Sequence, residues 1–388
     1  MRPIKLANRV RRQGCMLVAV FVAATGVSSG ASAQTLNTLV TFGGSNGAIP
    51  EDRGRLIADA HGNLFGTTGL GGASSACTGG CGTVFEIKVD STTATGYAST
   101  PTTLVSFNGT DGAYPFAGLI TDASGNLFGT TCGKTGSCVT GGGGNNFGTV
   151  FEIKVDGTTA TGYASTPTTL VNFSFTDGSA PYAGLIADAS GNLFGTTVVG
   201  GANLYYGTVF EIKVDSTTAT GYAITPTTLV SFNGTDGAYP FAGLIADAIG
   251  NLFGTTSGLF STGFGTVFEI KTDSTTATGY ASTPTTLVSF NGTDGAYPIE
   301  VLIADARGNL FGTTEAGGAT GDGTVFEVTG SGFVPPVGFA GTPGTPNCVG
   351  VTDSALAHTY GGIAHAATSL GYESVLALQN AVKAYCGK

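Results

Sequence analysis

The chain has 388 residues, of which 65 are Gly, none is Trp and only 15 are Lys or Arg, and its formal net charge is −10. Glycine lacks the every-third spacing of collagen, so this is the composition of a turn-rich β protein. An acidic balance favours solubility and argues against general nucleic-acid binding.

The first element is a leader. Arg2, Lys5, Arg9, Arg11 and Arg12 precede the apolar run 16–24, and Ala31-Ser32-Ala33 stands before Gln34. That order predicts a secretory signal peptide over residues 1–33, cleaved near Ala33, and a mature protein that is secreted, periplasmic or at the cell surface. The run is too short for a convincing transmembrane helix, no second candidate follows, and Cys15 is badly placed for lipid attachment. Losing five positive charges moves the formal balance from −10 to −15.

From Leu36 to Val328 one pattern repeats. G-N-L-F-G-T-T begins at Gly62, Gly125, Gly191, Gly250 and Gly308, and each copy is followed by G-T-V-F-E-I or, in the last, G-T-V-F-E-V. The central residues Asn63, Asn126, Asn192, Asn251 and Asn309 are separated by 63, 66, 59 and 58 residues. Variable spacing suits a module with loop insertions and does not suit a coil of fixed rung length. Each unit reads T-x-L-V-x-F, a D-G-A-Y-P turn, A-G-L-I-x-D-A, a short turn, N-L-F-G-T-T, a variable Gly-rich loop and G-T-V-F-E-I-K, which predicts four short strands.

In Thr83 to Val89, alternation puts Val84, Glu86 and Lys88 on one face and Phe85, Ile87 and Val89 on the other. One face is expected in a core and the other to carry charge. Asp59, Asp122, Asp188, Asp247 and Asp305 read as turn-holding residues. Gly66, Gly129, Gly195, Gly254 and Gly312 interrupt strand-like phrases and point to close backbone approach or a bulge. A four-stranded sheet cannot bury both faces alone, so units must stack; residues 34–330 are expected to form an all-β, five-bladed β-propeller, with an open solenoid as the alternative.

The variable loops 69–81, 132–147, 198–206, 257–264 and 315–322 occupy one position in the unit, so ring closure would display them on one face. Within them Tyr205, Tyr206 and Phe260 are candidates to stack on a sugar or peptide. The S-T-T-A-T-G-Y phrases with Tyr97, Tyr163, Tyr222 and Tyr280 read as scaffold hairpins. Six cysteines follow residue 33, and clustering favours the disulfides Cys77 with Cys81, Cys132 with Cys138 and Cys348 with Cys386, although the count permits fifteen pairings.

Chemistry-bearing residues are sparse. His61, His358 and His365 are the three histidines, and the His61 position carries Ser124, Ser190, Ile249 and Arg307 in the other copies. No catalytic residue and no metal site is assigned. Glu86, Glu152, Glu211, Glu269 and Glu327 read as exposed strand charge, and Asp111, Asp177, Asp236 and Asp294 as turn residues. No cofactor is implied; calcium is an ion that such carboxylates could take together with backbone oxygens. Residues 331–347 read as a Pro/Gly linker and 348–388 as a small helical cap, with Val375, Leu378, Val382 and Tyr385 at helical spacing.

The phrases G-N-L-F-G-T-T, G-T-V-F-E-I and D-G-A-Y-P-x-A-G-L-I resemble those of the GloVer-repeat family over roughly residues 36–330. The D-A-x-G-N-L-F-G-T core is also similar to the propeller repeats of bacterial two-component sensors, with Phe where those carry Trp. The resemblance implies an exported bacterial tandem-repeat protein and brings no catalytic residues. The expected function is non-catalytic binding or structure, with a cell-surface carbohydrate or protein as partner. A polysaccharide- or peptide-directed hydrolase or lyase is the alternative.

Overall fold

The computed structural model describes residues 36–50, 55–133, 147–258 and 263–335, with Ile363, Val375, Leu378, Gln379 and Val382 beyond them. The chain divides into two units, Met1–Thr38 and Leu39–Lys388. Of the first, residues 36–38 are described, and all are exposed. The expected signal peptide lies outside the described residues. So does the C-terminal cap apart from five isolated positions, and no helical element is established there.

The second unit is all-β, with five antiparallel sheets among the described residues. The second sheet sets the pattern: Ile120–Thr121, Leu127–Thr131, Thr149–Ile153 and Thr168–Asn172, in that order. The third repeats it with Ile186–Ala187, Leu193–Thr197, Thr208–Ile212 and Thr227–Ser231. Ile245–Ala246, Leu252–Thr256, Thr266–Ile270 and Thr285–Ser289 form the fourth. The first comprises Ile57–Ala58, Leu64–Leu70, Thr83–Ile87 and Thr102–Ser106, with Ala48–Pro50 added beside Leu64–Leu70. In the fifth, Ile303–Ala304, Leu310–Thr314 and Thr324–Val328 stand without a fourth strand among the described residues.

The repeat is out of phase with its sheets. T-T-L-V does not open the sheet of its own copy; Thr102–Ser106 pairs with Thr83–Ile87 and becomes the outer strand of the sheet before it. The chain then crosses to the next inner strand, stitching neighbouring sheets together. Phe107, just past that strand, meets Phe151 of the following sheet edge-on at 5.0 Å, and Phe173 with Phe210 and Phe290 with Phe326 repeat the contact at the same distance.

Both faces of the middle sheets are buried, because a sheet packs on each side. Phe65, Phe128 and Phe194 face the next sheet and meet the hairpin residues Tyr163, Tyr222 and Tyr280 at 5.6, 5.7 and 5.7 Å. This gives the S-T-T-A-T-G-Y phrases their scaffold role. Phe333 meets Phe253 at 5.1 Å in the fourth sheet, so the start of the expected linker is packed.

Glycine at Gly195 makes room for an aromatic ring: a Cβ there would stand 2.6 Å from Phe210 Cζ. The expected bulge lies elsewhere, between Val209 and Phe210 in the pairing with the outer strand. The aspartates hold turns as expected. Asp59 Oδ1 accepts the amides of His61 and Asn63, Asp59 Oδ2 accepts the Asn63 side chain, and Asn63 Oδ1 accepts the Val89 amide, all at 2.8–2.9 Å.

Four of the five repeated glutamates overturn an expectation, while Glu327 is exposed as expected. Glu86, Glu152, Glu211 and Glu269 are not exposed strand charge but are 3–4% exposed between sheets, each 3.6 Å from the lysine two residues on. Stacking on both faces buries what a one-sided sheet would leave in water.

Candidate functional site

Each variable loop hangs from a pair of threonines. Thr68 and Thr83 bring their hydroxyls to 2.8 Å at the base of the first loop, and Thr131 with Thr149, Thr197 with Thr208, Thr256 with Thr266 and Thr314 with Thr324 do the same at 2.7–2.8 Å. The glycine of the G-x-x-P turn sits over each pair: a Cβ at Gly178 would lie 2.6 Å from Thr197, at a φ of +138°.

Two residues past that glycine, Tyr114, Ala180, Tyr239 and Tyr297 adopt φ of 57–61°, a left-handed conformation rare outside glycine. Two hydrogen bonds hold each one. The Tyr114 amide donates to Cys81 O in the first loop, and Tyr114 O accepts from Cys132 N in the second, at 2.9 and 3.1 Å. Tyr239 links Tyr206 O to the Ser257 amide in the same way. The strained residues are therefore rivets between consecutive loops, which places loops and G-x-x-P turns on one side of the sheets.

Inside this belt runs a cavity of about 460 Å³, lined by inner segments of all five units, among them Arg55, Gly118, Gly184, Gly243 and Val301. Arg55 is its one ionisable residue among the described lining. Two residues before the lining glycines Gly118, Gly184 and Gly243 stand Phe116, Tyr182 and Phe241, in corresponding positions of three successive units. Phe116 stacks on Tyr182 at 5.5 Å and 7°, Tyr182 meets Phe241 at 5.7 Å, and Tyr114 extends the row to Phe116 at 6.1 Å. Phe116, Tyr182 and Phe241 are half-buried, so each presents part of its ring.

Of Tyr205, Tyr206 and Phe260, the two tyrosines part company. Tyr205 is 63% exposed, with its ring 6.4 Å from Phe175. Tyr206 packs down against Gly234 and the core of the third and fourth sheets. Phe260 lies outside the described residues. Phe116, Tyr182 and Phe241 are missing from the sequence-based candidates because they stand in a repeated phrase rather than a variable loop; their signal is an aromatic after the turn proline in three copies and Ile299 in the last.

Cys77 and Cys81 are joined, as expected, with both sulfurs in the core. Cys132 is also disulfide-bonded, while Cys138, Cys348 and Cys386 lie outside the described residues. His61 sits on the surface, 86% exposed and 3.8 Å from Asp59. Asp111, Asp236 and Asp294 are engaged by their own turns, each accepting the backbone and side-chain N–H groups of the asparagine three residues earlier. Among the described residues no three His, Cys, Asp or Glu side chains cluster to hold a metal.

Electrostatics are concentrated between sheets. Burial pushes the Glu86, Glu152, Glu211 and Glu269 carboxyls above their ordinary value, with the neighbouring lysines pulling part of the way back. Burial, then the charges of Glu211, Asp188 and Asp247, raises the Tyr280 hydroxyl to about 12.

The sequence pattern of the Gloeobacter/Verrucomicrobia repeat matches residues 136–282 and 227–367. No curated protein matches the chain. Among solved structures, PorZ, a surface component of the type-IX secretion system of Porphyromonas gingivalis, shares 17% identity over 77% of this chain and 35% of its own, with a TM-score of 0.40. The polysaccharide lyase PL25 ulvan lyase shares 12% over 71% of this chain and 78% of its own, also at 0.40. An α-L-arabinofuranosidase from Lactobacillus brevis shares 12% over 73% and 90%, at 0.37. Likenesses this remote do not say what the chain does.

Proposed function

The chain belongs to the Gloeobacter/Verrucomicrobia repeat family, and on that footing we propose that it is an exported binding module whose five sheets are the blades of a five-bladed propeller. Its ligand is a neutral carbohydrate of the cell surface, taken at the edge of the central cavity. One observation carries this reading: the stacked Phe116, Tyr182 and Phe241 row, whose members each stand two residues from a glycine lining the cavity shared by all five units. Sugar rings expose an apolar C–H face that aromatic rings cover, while their hydroxyls need polar groups around the contact. The riveted turns support such a role by fixing the rings before any ligand arrives, which lowers the entropy lost on binding.

Saturation-transfer NMR on the purified chain with a panel of neutral oligosaccharides tests it. Transfer to a sugar that disappears in Tyr182→Ala and survives in Tyr205→Ala is the expected result. No transfer to any member of the panel would sink the carbohydrate reading, and new reducing ends accumulating with time would replace binding by hydrolysis or lysis.

A further inference from the structure

The fifth sheet is unfinished in two respects. Among the described residues, its edge strand Thr324–Val328 lacks the outer partner that Thr83–Ile87, Thr149–Ile153, Thr208–Ile212 and Thr266–Ile270 each possess. Its far face is also bare: Val325 is 81% exposed, whereas Val84, Val150, Val209 and Val267 are all at 0%. Thr67 donates its hydroxyl to Ala117 O at 2.8 Å and Thr196 to Ala242 O at 2.9 Å, each in the next unit, but Thr313 is exposed. An apolar edge strand with open N–H and C=O groups is a template for another strand.

Four outer strands come from copies of T-T-L-V that follow their sheets, and residues 329–388 contain no further copy. One copy remains unused, T-L-V-T-F ending at Phe42, ahead of the first sheet. Its Leu39 and Val40 are half-buried and outside any strand, while their counterparts Leu104 and Val105 are 3% and 1% exposed. Phe42 already stands where this arrangement needs it. It meets Phe85 edge-on at 4.9 Å, as Phe107 meets Phe151 at 5.0 Å. In every other copy, the residues just before that phenylalanine lie in the preceding sheet. The sheet that would precede the first around the cavity is the fifth.

We infer that Leu39–Thr41 forms the missing outer strand of the fifth sheet of its own chain. The register follows from Thr266 opposite Ser289 and Val267 opposite Val288: Thr41 lies opposite Thr324 and Val40 opposite Val325. A bulge between Val325 and Phe326 copies that between Val267 and Phe268. Pairing satisfies the open backbone groups and brings the Phe85 side of the first sheet over Val325. A second copy's strand would meet the same edge, but Phe42 fixes the segment to its own first sheet, so the intramolecular partner is present at a far higher local concentration. The inference rests on the ring of five sheets.

The test is a cysteine pair, Thr41→Cys with Thr324→Cys, in the full chain, with the link mapped by mass spectrometry and the species sized by light scattering. A disulfide joining the two substituted positions within a monomer is expected. A link between two chains, or none, overturns the inference. Hydrogen exchange on the unsubstituted protein guards against a misfolded variant: amides of Leu39–Thr41 and Thr324–Val328 should be protected within about tenfold of those in Thr266–Ile270. Rapid exchange there, in a molecule whose small-angle scattering is that of a closed ring, overturns strand donation alone. An open arc in scattering overturns the ring itself.

Discussion

Asn192 donates its backbone amide and its side-chain amide to the carboxylate of Asp188, at 2.9 and 2.8 Å, and then accepts the Val214 amide at 2.9 Å. One side-chain pair thus ties an inner turn to the end of the third strand. The Asp188→Ala variant should lose about 1 kcal/mol, since its turn is exposed and water replaces the lost acceptor. Asp247 makes the same bonds but is 7% exposed and also faces the Val334 amide, so Asp247→Ala should cost about twice as much. Urea denaturation of both variants checks the order; equal losses would show that burial does not set the cost.

At Gly195 the added methyl of an alanine meets the Phe210 ring and, at 3.0 Å, Leu185. Gly195→Ala should destabilise the protein by about 1–3 kcal/mol through overpacking. Combining it with Phe210→Leu should cost less than the sum of the two, because the ring that clashes is gone. Strict additivity in thermal melts would mean that the glycine serves some other purpose.

The buried glutamates make stability depend on pH. A carboxyl whose folded pKa exceeds its unfolded value leaves the fold unpenalised below the unfolded value, and that advantage is lost as pH rises through the folded one. For Glu211, raised by burial above the usual 4.5, Glu211→Gln should therefore raise Tm at about pH 7. The gain should vanish below about pH 4.5. Losing the contact with half-exposed Lys213 offsets little, because such pairs are worth roughly 0–1 kcal/mol. A Tm difference that ignores pH would show that the carboxyl is not desolvated.

Cys77 and Cys81 are 5% and 0% exposed, so reductant should reach them only when the first loop opens. Replacing both with Ser should cost about 2 kcal/mol, the chain-entropy value for so short a loop. Thiol labelling in native buffer with a mild reductant is the check. Rapid modification would place the pair at the surface.

Much of this was legible in the sequence. Period-2 alternation at Val84, Phe85, Glu86 and Ile87 pointed to the right strand, and D-A-x-G-N to the right turn, because both signals are local. The phase of the repeat was hidden, since a cyclic pattern looks the same wherever it is cut; only the pairing of Thr102–Ser106 with Thr83–Ile87 fixes it. The fate of Glu86 was hidden for a related reason: alternation separates two faces but does not reveal that both are covered. Tyr205 and Tyr206 illustrate the limit for the site, because adjacent aromatics in an irregular loop carry no sign of which one turns inward.

The threonine pairs give the variable loops an unusual freedom. Partners lie from 10 to 18 residues apart in sequence, yet their hydroxyls meet within 0.1 Å of the same distance. Each loop passes through a doorway of constant width whatever its length, and the frame registers only the few residues that reach back inside, such as Tyr206 and the Cys77–Cys81 pair. Such a chain can accumulate new surface chemistry one loop at a time, and a foreign segment grafted between Thr197 and Thr208 keeps a firm mount as long as it retains Val198 and Tyr206.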